Sequence, residues 1–291
     1  GEIFDGSHEG PPDWMGKLPG QRNGANIGHP ASDGWAGCAP EIAFAVFSMA
    51  HPEGTFRGSQ EFRMDNMDSI DRAIQLIENR EQGPDQLNQA EAVLKEHLKG
   101  DANSARAYGL LAQIQYWRGE VSSQGLLEIY QAGVDYGKKG VELDENNLES
   151  QFWLSVNYGF YGETRGILSS LFLIDPIEHA IQKSLEIDES YFFGGPHRAM
   201  GWFLHRVPPW PLGKGDNRKA LKHLEKALEY GPDFYLNRLY IAQVLIALRD
   251  KDGGRKHLEW IIAAPLSSKH PAEDQRYKDQ ARQIMEKNGL N

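Results

Sequence analysis

Arg198, Trp202 and His205 stand four and three residues apart within "GGPHRAMGWFLHRVPPW". On a helix that spacing puts a guanidinium, an indole and an imidazole on one face. Gly194-Gly195-Pro196 precedes them, and proline suits the first turn of a helix. N–H groups exposed at a helix start attract anions, and Arg198 beside His197 would add a bidentate fork for a carboxylate. The same stretch has a plainer reading. Pro196 opens a helix, and the glycines let the preceding turn pack closely.

Other chemistry is poorly represented. There is no His-Glu-x-x-His, no Gly-x-Ser-x-Gly and no phosphate loop, so the chain reads as non-enzymatic, without cofactor or metal. "DKDGG" at 250–254 resembles the start of a calcium loop. Ile261 stands where the closing Glu is required, so the stretch reads as a turn. Cys38 with His29 and His51 is the remaining metal-type set, in a loop-rich segment. A single cysteine excludes a disulfide within the chain.

Bulk charge narrows the partners. The net charge is −10, and Lys and Arg are always interleaved with acids. Nucleic acid and anionic membrane surfaces are therefore unexpected partners. The longest apolar-rich run, 42–50, is about half the ~20 residues that a spanning helix needs. The chain begins at Gly1 rather than Met, which reads as a removed leader or an engineered boundary.

The elements that must position these side chains fall into two regions. Residues 1–67 hold 11 of the 31 glycines and 6 of the 15 prolines. They read as an irregular arm, ordered only if its aromatics, among them Trp14 and Trp35, find something to pack on. Residues 68–291 read as helices with short loops.

A period runs through the second region. "AYGLLAQIQYWRGE" and "SQFWLSVNYGFYGE" place Leu, a small residue and Gly at matching offsets. "RKALKHLEKALEYGPD" supplies Ala220, Leu224, Ala227 and Pro232 at the offsets of a second helix. These are the marks of the tetratricopeptide unit, two antiparallel helices in about 34 residues. Small residues let the two helices approach, and large ones fill the space between units. The expected fold is all-α, a tetratricopeptide-like solenoid of about four units, closed by a helix at Lys278–Lys287.

Two units are irregular. Gly119 to Gly140 spans 21 steps and Gly162 to Ser184 spans 22, where a regular unit has about 12. Their second helices are either long or preceded by an extra short helix. Asp175-Pro176 must break the second insertion. Its Leu168-Leu171-Phe172-Ile174 cluster reads as buried core rather than a ligand tunnel. Arg165 either pairs with Glu163 or faces the groove.

In such an array the first helices line a concave groove. Gln113, Tyr116, Phe152, Arg198, Trp202, His205 and Gln243 fall on it in phase. This floor would suit a carboxylate-bearing ligand or a partner segment. In the loop "VPPWPLGKGDN", Asp216 or Asn217 caps the next helix. Trp210 among prolines is a candidate interface anchor, or it folds back over the helix ends.

The ordered set of Tyr-Gly-Glu, an apolar insertion, Asp-Pro, Leu-Glu-Ile-Asp, Gly-Gly-Pro-x-Arg and Gly-Asp-x-x-x-Ala, over roughly residues 85–265, resembles the T-component family of TRAP transporters. The resemblance implies a periplasmic or extracellular helical-repeat protein without enzymatic activity, often oligomeric. It also implies pairing with a TRAP substrate-binding protein and handover of an apolar or carboxylate ligand. A structural subunit, whose arm docks onto a neighbouring copy to build an oligomer or fibre, is the other reading.

Overall fold

The structure, a computed structural model, describes residues 68–83, 85–166 and 168–290. The expectations for the arm, with Trp14, Trp35 and the Cys38, His29 and His51 set, lie outside the described residues.

Among the described residues there are eleven α-helices and no strand. They are α1 (Ser69–Glu78), α2 (Gln86–Gly100), α3 (Ala105–Val121), α4 (Leu126–Leu143), α5 (Leu148–Arg165) and α6 (Ile174–Asp188). Then come α7 (Tyr191–Arg206), α8 (Asn217–Tyr230), α9 (Tyr235–Ala247), α10 (Lys251–Ala263) and α11 (Pro271–Asn288). Each odd helix packs on the even helix that follows, giving five pairs and a closing helix. The odd helices also touch in series, from α1 through α3, α5, α7 and α9 to α11. That is one unit more than the sequence period suggested. The closing helix starts seven residues earlier than expected, because Pro271 occupies its first turn and there loses no helical hydrogen bond.

Two of the junctions between units share one turn. Asp101 Oδ1 accepts from the Asn103 N–H at 3.1 Å, and Ser104 then caps α3. Asp144 Oδ1 accepts from the Asn146 N–H at 2.9 Å, and Asn147 then caps α5. In each case an Asx turn delivers the chain into the next N-cap. Asp216 caps α8, its carboxylate accepting from the N–H groups of Arg218 and Lys219. "DKDGG" is corrected from a turn to a helix start: Asp250 caps α10 through the Gly253 N–H.

The small positions hold the pairs together. A Cβ on Gly201 would lie 2.5 Å from Leu224 Cγ, and one on Gly140 would lie 2.1 Å from Ser150 Oγ. Leu224, Ala220 and Ala227 are fully buried where α8 meets α7. One apolar cluster joins α1–α3 to α5, a second runs from α4 to α9, and a third joins α9–α11.

The two irregular units use different solutions. α4 is a single helix of 18 residues. The other insertion forms a short 3-10 helix, Leu168–Leu173, ahead of α6. In a 3-10 helix, residues three apart share a face. Ser170 and Leu173 are the buried face. Leu168 and Phe172 are left 75% and 62% exposed, so the expected core cluster is corrected: these two stand on the surface.

The ends of the array meet. The carboxylate of Glu81, just beyond α1, accepts from the N–H groups of Ala272 and Glu273, each at 2.9 Å. His270 makes no side-chain cap at the start of α11, so Glu81 supplies that cap from the far end of the chain. Arg80 pairs with the buried carboxylate of Glu273 and lies 3.6 Å over the Trp117 ring. Lys269 reaches Glu78 at 3.3 Å. Glu81, His270 and Glu273 bring metal-type donors within 4.8 Å of one another. Those donors are already in use, Glu81 on backbone N–H groups and the other two on Arg80. The contact closes the solenoid into a ring. Among the described residues no helix is long and apolar enough to cross a membrane.

Candidate functional site

α7 is kinked where the sequence reads Phe192-Phe193-Gly194. All three residues have left-handed backbone, with φ of 49°, 60° and 72°. For two phenylalanines this costs on the order of 1–3 kcal/mol each. Packing offsets it. Phe193 stacks on Phe234 at 5.0 Å, and Phe192 inserts among Trp117, Phe152 and Trp153. Cβ atoms on Gly194 and Gly195 would lie 2.7 Å from Ala227 and from the Phe152 ring. The glycines therefore serve close packing, and Pro196 sits in the first turn beyond the kink. His197 does not face an anion site. Its ring bridges Glu189 at 2.9 Å and His223 at 3.0 Å.

Arg198 is 5% exposed. Its Nη1 donates to the carbonyls of Phe192 and Phe193, each at 3.3 Å, and to Asn237 Oδ1 at 3.0 Å. Nη2 donates to the Phe192 carbonyl at 3.3 Å. The guanidinium carbon lies 4.7 Å from the Phe234 ring centre. No carboxylate of the described residues lies within 4.0 Å of it. Burial holds the guanidinium below its ordinary value, yet arginine stays charged in proteins. A buried cation without a counter-anion therefore stands at the centre of the array.

It stands on the wall of a cavity of about 130 Å³, between α5, the 3-10 helix, α6, α7 and α9. Phe152, Phe160, Leu173, Ile177, Ile181 and Phe203 make most of the lining apolar, and Tyr116, Trp202 and Tyr240 add aromatic faces. Trp202 stacks on Tyr240 at 3.9 Å. Burial raises the titration of both Tyr116 and Tyr240, so their hydroxyls stay neutral donors. Glu163 and Arg206 pair at 2.8 Å, and both line the cavity, as do Leu171, Ile174, Val207 and Pro208.

Four of the seven residues expected on the groove line this cavity: Tyr116, Phe152, Arg198 and Trp202. The other three do not. His205 shares a 2.8 Å hydrogen bond with Asn217, and its titration is lowered chiefly by burial. Gln113 is buried and Gln243 half-buried, outside the lining. Glu163, Arg206 and Tyr240 were not anticipated. The unusual length of the second insertion was the available signal, since Leu171 and Ile174 from it line the cavity. Arg165 is corrected as well. It donates to Tyr161 Oη at 3.2 Å and lies over Phe172, while Arg206 takes Glu163. Trp210 is 86% exposed and does not fold back on the helix ends.

A second charged group, Glu120, stands near the end of α3. Burial pushes the Glu120 carboxyl up to about 7; Arg276 opposes the rise, and Glu273 and Glu163 add to it. Glu120 keeps some accessible surface.

No family model matches the sequence, and no curated protein is similar to it. A thermophilic TPR protein of Thermus thermophilus is similar in structure, with a TM-score of 0.53 and 16% identity over 77% of this chain and 98% of its own. The fold is the tetratricopeptide fold. YrrB, a TPR protein with an unusual peptide-binding site, matches with a TM-score of 0.43 and 15% identity over 80% of this chain and 98% of its own. PilF of Pseudomonas aeruginosa matches with a TM-score of 0.45 and 17% identity over 75% and 91%.

Proposed function

We propose that this chain is a non-enzymatic binding protein whose tetratricopeptide ring holds a small carboxylate-bearing ligand with an apolar body. The observation that carries the reading is Arg198, a buried cation with no carboxylate partner on the wall of an otherwise apolar cavity. One Nη2 hydrogen and the Nε hydrogen have no hydrogen-bond partner among the described residues. A ligand carboxylate would neutralise the guanidinium and take those donors. The apolar body would lie against Ile177, Ile181 and Phe203. A cavity near 150 Å³ takes about one benzene ring, so this one, as it stands, suits a short chain or a single ring.

The resemblance to TRAP T-components supports the wider role. In that role the protein works in the periplasm or outside the cell and passes its ligand to a transporter's substrate-binding protein.

Isothermal titration of the full chain with octanoate and with octan-1-ol tests the site. Octanoate is expected to bind at least ten times more tightly. Gly159 lines the cavity, and a Cβ there would meet nothing within 4 Å. Gly159→Phe should therefore direct its ring into the cavity and abolish binding. Equal affinity for acid and alcohol, or unchanged binding by Gly159→Phe, would sink the reading. Co-purification with a TRAP substrate-binding protein tests the partner.

A further inference from the structure

Two short segments adjoining residues that line the cavity carry exposed apolar side chains. On the 3-10 helix these are Leu168 and Phe172, 75% and 62% exposed. On the loop between α7 and α8 they are Trp210 and Leu212, 86% and 60% exposed. The two segments are neighbours. A Cβ on Gly213 would lie 3.4 Å from Ile174 Cδ1, and Lys214 bridges Asp175 at 2.9 Å and Glu178. Leu171 and Ile174 beside the first segment, and Val207 and Pro208 beside the second, line the cavity.

We infer that this rim docks on the surface of an uncharged, zwitterionic lipid bilayer, so that this side of the cavity wall faces the lipid. Three observations favour lipid over a second copy of the chain. Four such side chains expose on the order of 500 Å², short of the ~800 Å² per partner that a stable dimer buries. The chain carries −10, so two copies repel one another. Around the rim the charges cancel: Lys214 and Arg165 stand against Asp175 and Glu178. A neutral patch on an acidic protein needs no anionic lipid. Exposed Trp and Phe are the side chains that settle at a bilayer interface. The inference rests on the cavity reading above, because a poorly soluble ligand would then enter from the lipid without crossing water.

The test is flotation of the full chain with dioleoylphosphatidylcholine vesicles. Wild type is compared with the Leu168→Ser, Phe172→Ser, Trp210→Ser triple variant. All three positions are exposed, so the variant should melt within a few degrees of wild type and still bind octanoate. The expected result is a drop of at least tenfold in the vesicle partition coefficient. No flotation of the wild type, or equal flotation of both proteins, overturns the inference. It is also overturned if the wild type is a dimer by light scattering, the variant a monomer, and neither floats; a second copy then covers the rim. Failure of octanoate to bind while the flotation difference persists would remove the cavity reading and leave the docking surface standing.

Discussion

Arg198 of α7 donates to Asn237 of α9 across 3.0 Å, and both side chains are buried. Asn237 in turn donates to the carbonyls of Phe193, Ala227 and Gly231 at 3.0–3.1 Å. One amide thus ties the left-handed kink, the end of α8 and the charged wall of the cavity together.

Asn237→Leu would leave the guanidinium one acceptor short and three buried carbonyls without this donor. A buried group that loses its partner costs about 1–3 kcal/mol, more when it is charged. Urea unfolding should show a loss of about 3 kcal/mol, against under 1 kcal/mol for an exposed control such as Arg218→Ala. A loss as small as the control's would mean that the network carries no weight.

Gly140→Ala sets two effects against each other. Alanine in a helix interior gains about 1 kcal/mol over glycine. The new methyl would lie 2.1 Å from Ser150 Oγ and 3.0 Å from the Ala105 carbonyl, and overpacking typically costs about 1–3 kcal/mol. Ser150 Oγ donates to that same carbonyl at 2.8 Å, so it cannot swing away without leaving a buried acceptor unmet. The clash wins, and a net loss of about 1–2 kcal/mol is expected in a thermal or urea melt. A stabilised variant would contradict the packing described.

Glu120 makes stability depend on pH. Its folded-state titration lies near 7, above the ordinary 4.5. Between those values the folded chain holds a proton that the unfolded chain has released. Its contribution is therefore fully favourable below about pH 4.5 and is lost as pH rises through 7. Glu120→Gln should be close to neutral at pH 5 and stabilising by on the order of 2 kcal/mol at pH 8. Urea midpoints at the two pH values decide it, and an equal effect at both would rule out the shift.

Arg80→Ala removes the partner of Glu273, whose side chain is 3% exposed. Breaking a buried pair from one side costs about 3–5 kcal/mol. Hydrogen exchange should rise together at the end of α1 and the start of α11, while the interior of α7 stays protected. Exchange that rises at only one of these ends would show that they are not held by this contact.

Much of the fold was legible because it is local. The two-helix unit repeats as short motifs, and type and place narrowed the cap of α8 to Asp216 or Asn217, of which Asp216 makes it. Ala220, Leu224 and Ala227 were assigned to a packing face by spacing, and all three are fully buried. The candidate site was legible only in part. Phase along one helix put Arg198 and Trp202 on the right face. It could not show that His205 is taken by Asn217, or that Glu163 joins Arg206 rather than Arg165.

What the sequence by itself determined is the unit: two helices, their small contact residues, their caps and the two places where a unit is too long. These follow from a 3.6-residue period and from steric limits that act within a few tens of residues. Only the tertiary structure decided that Glu81 caps α11, that Leu168 and Phe172 face outward, and that Arg198 meets an apolar cavity without a carboxylate. Those outcomes depend on the rotation accumulated from unit to unit, which brings together residues as far apart as Glu81 and Ala272. No local period encodes that sum.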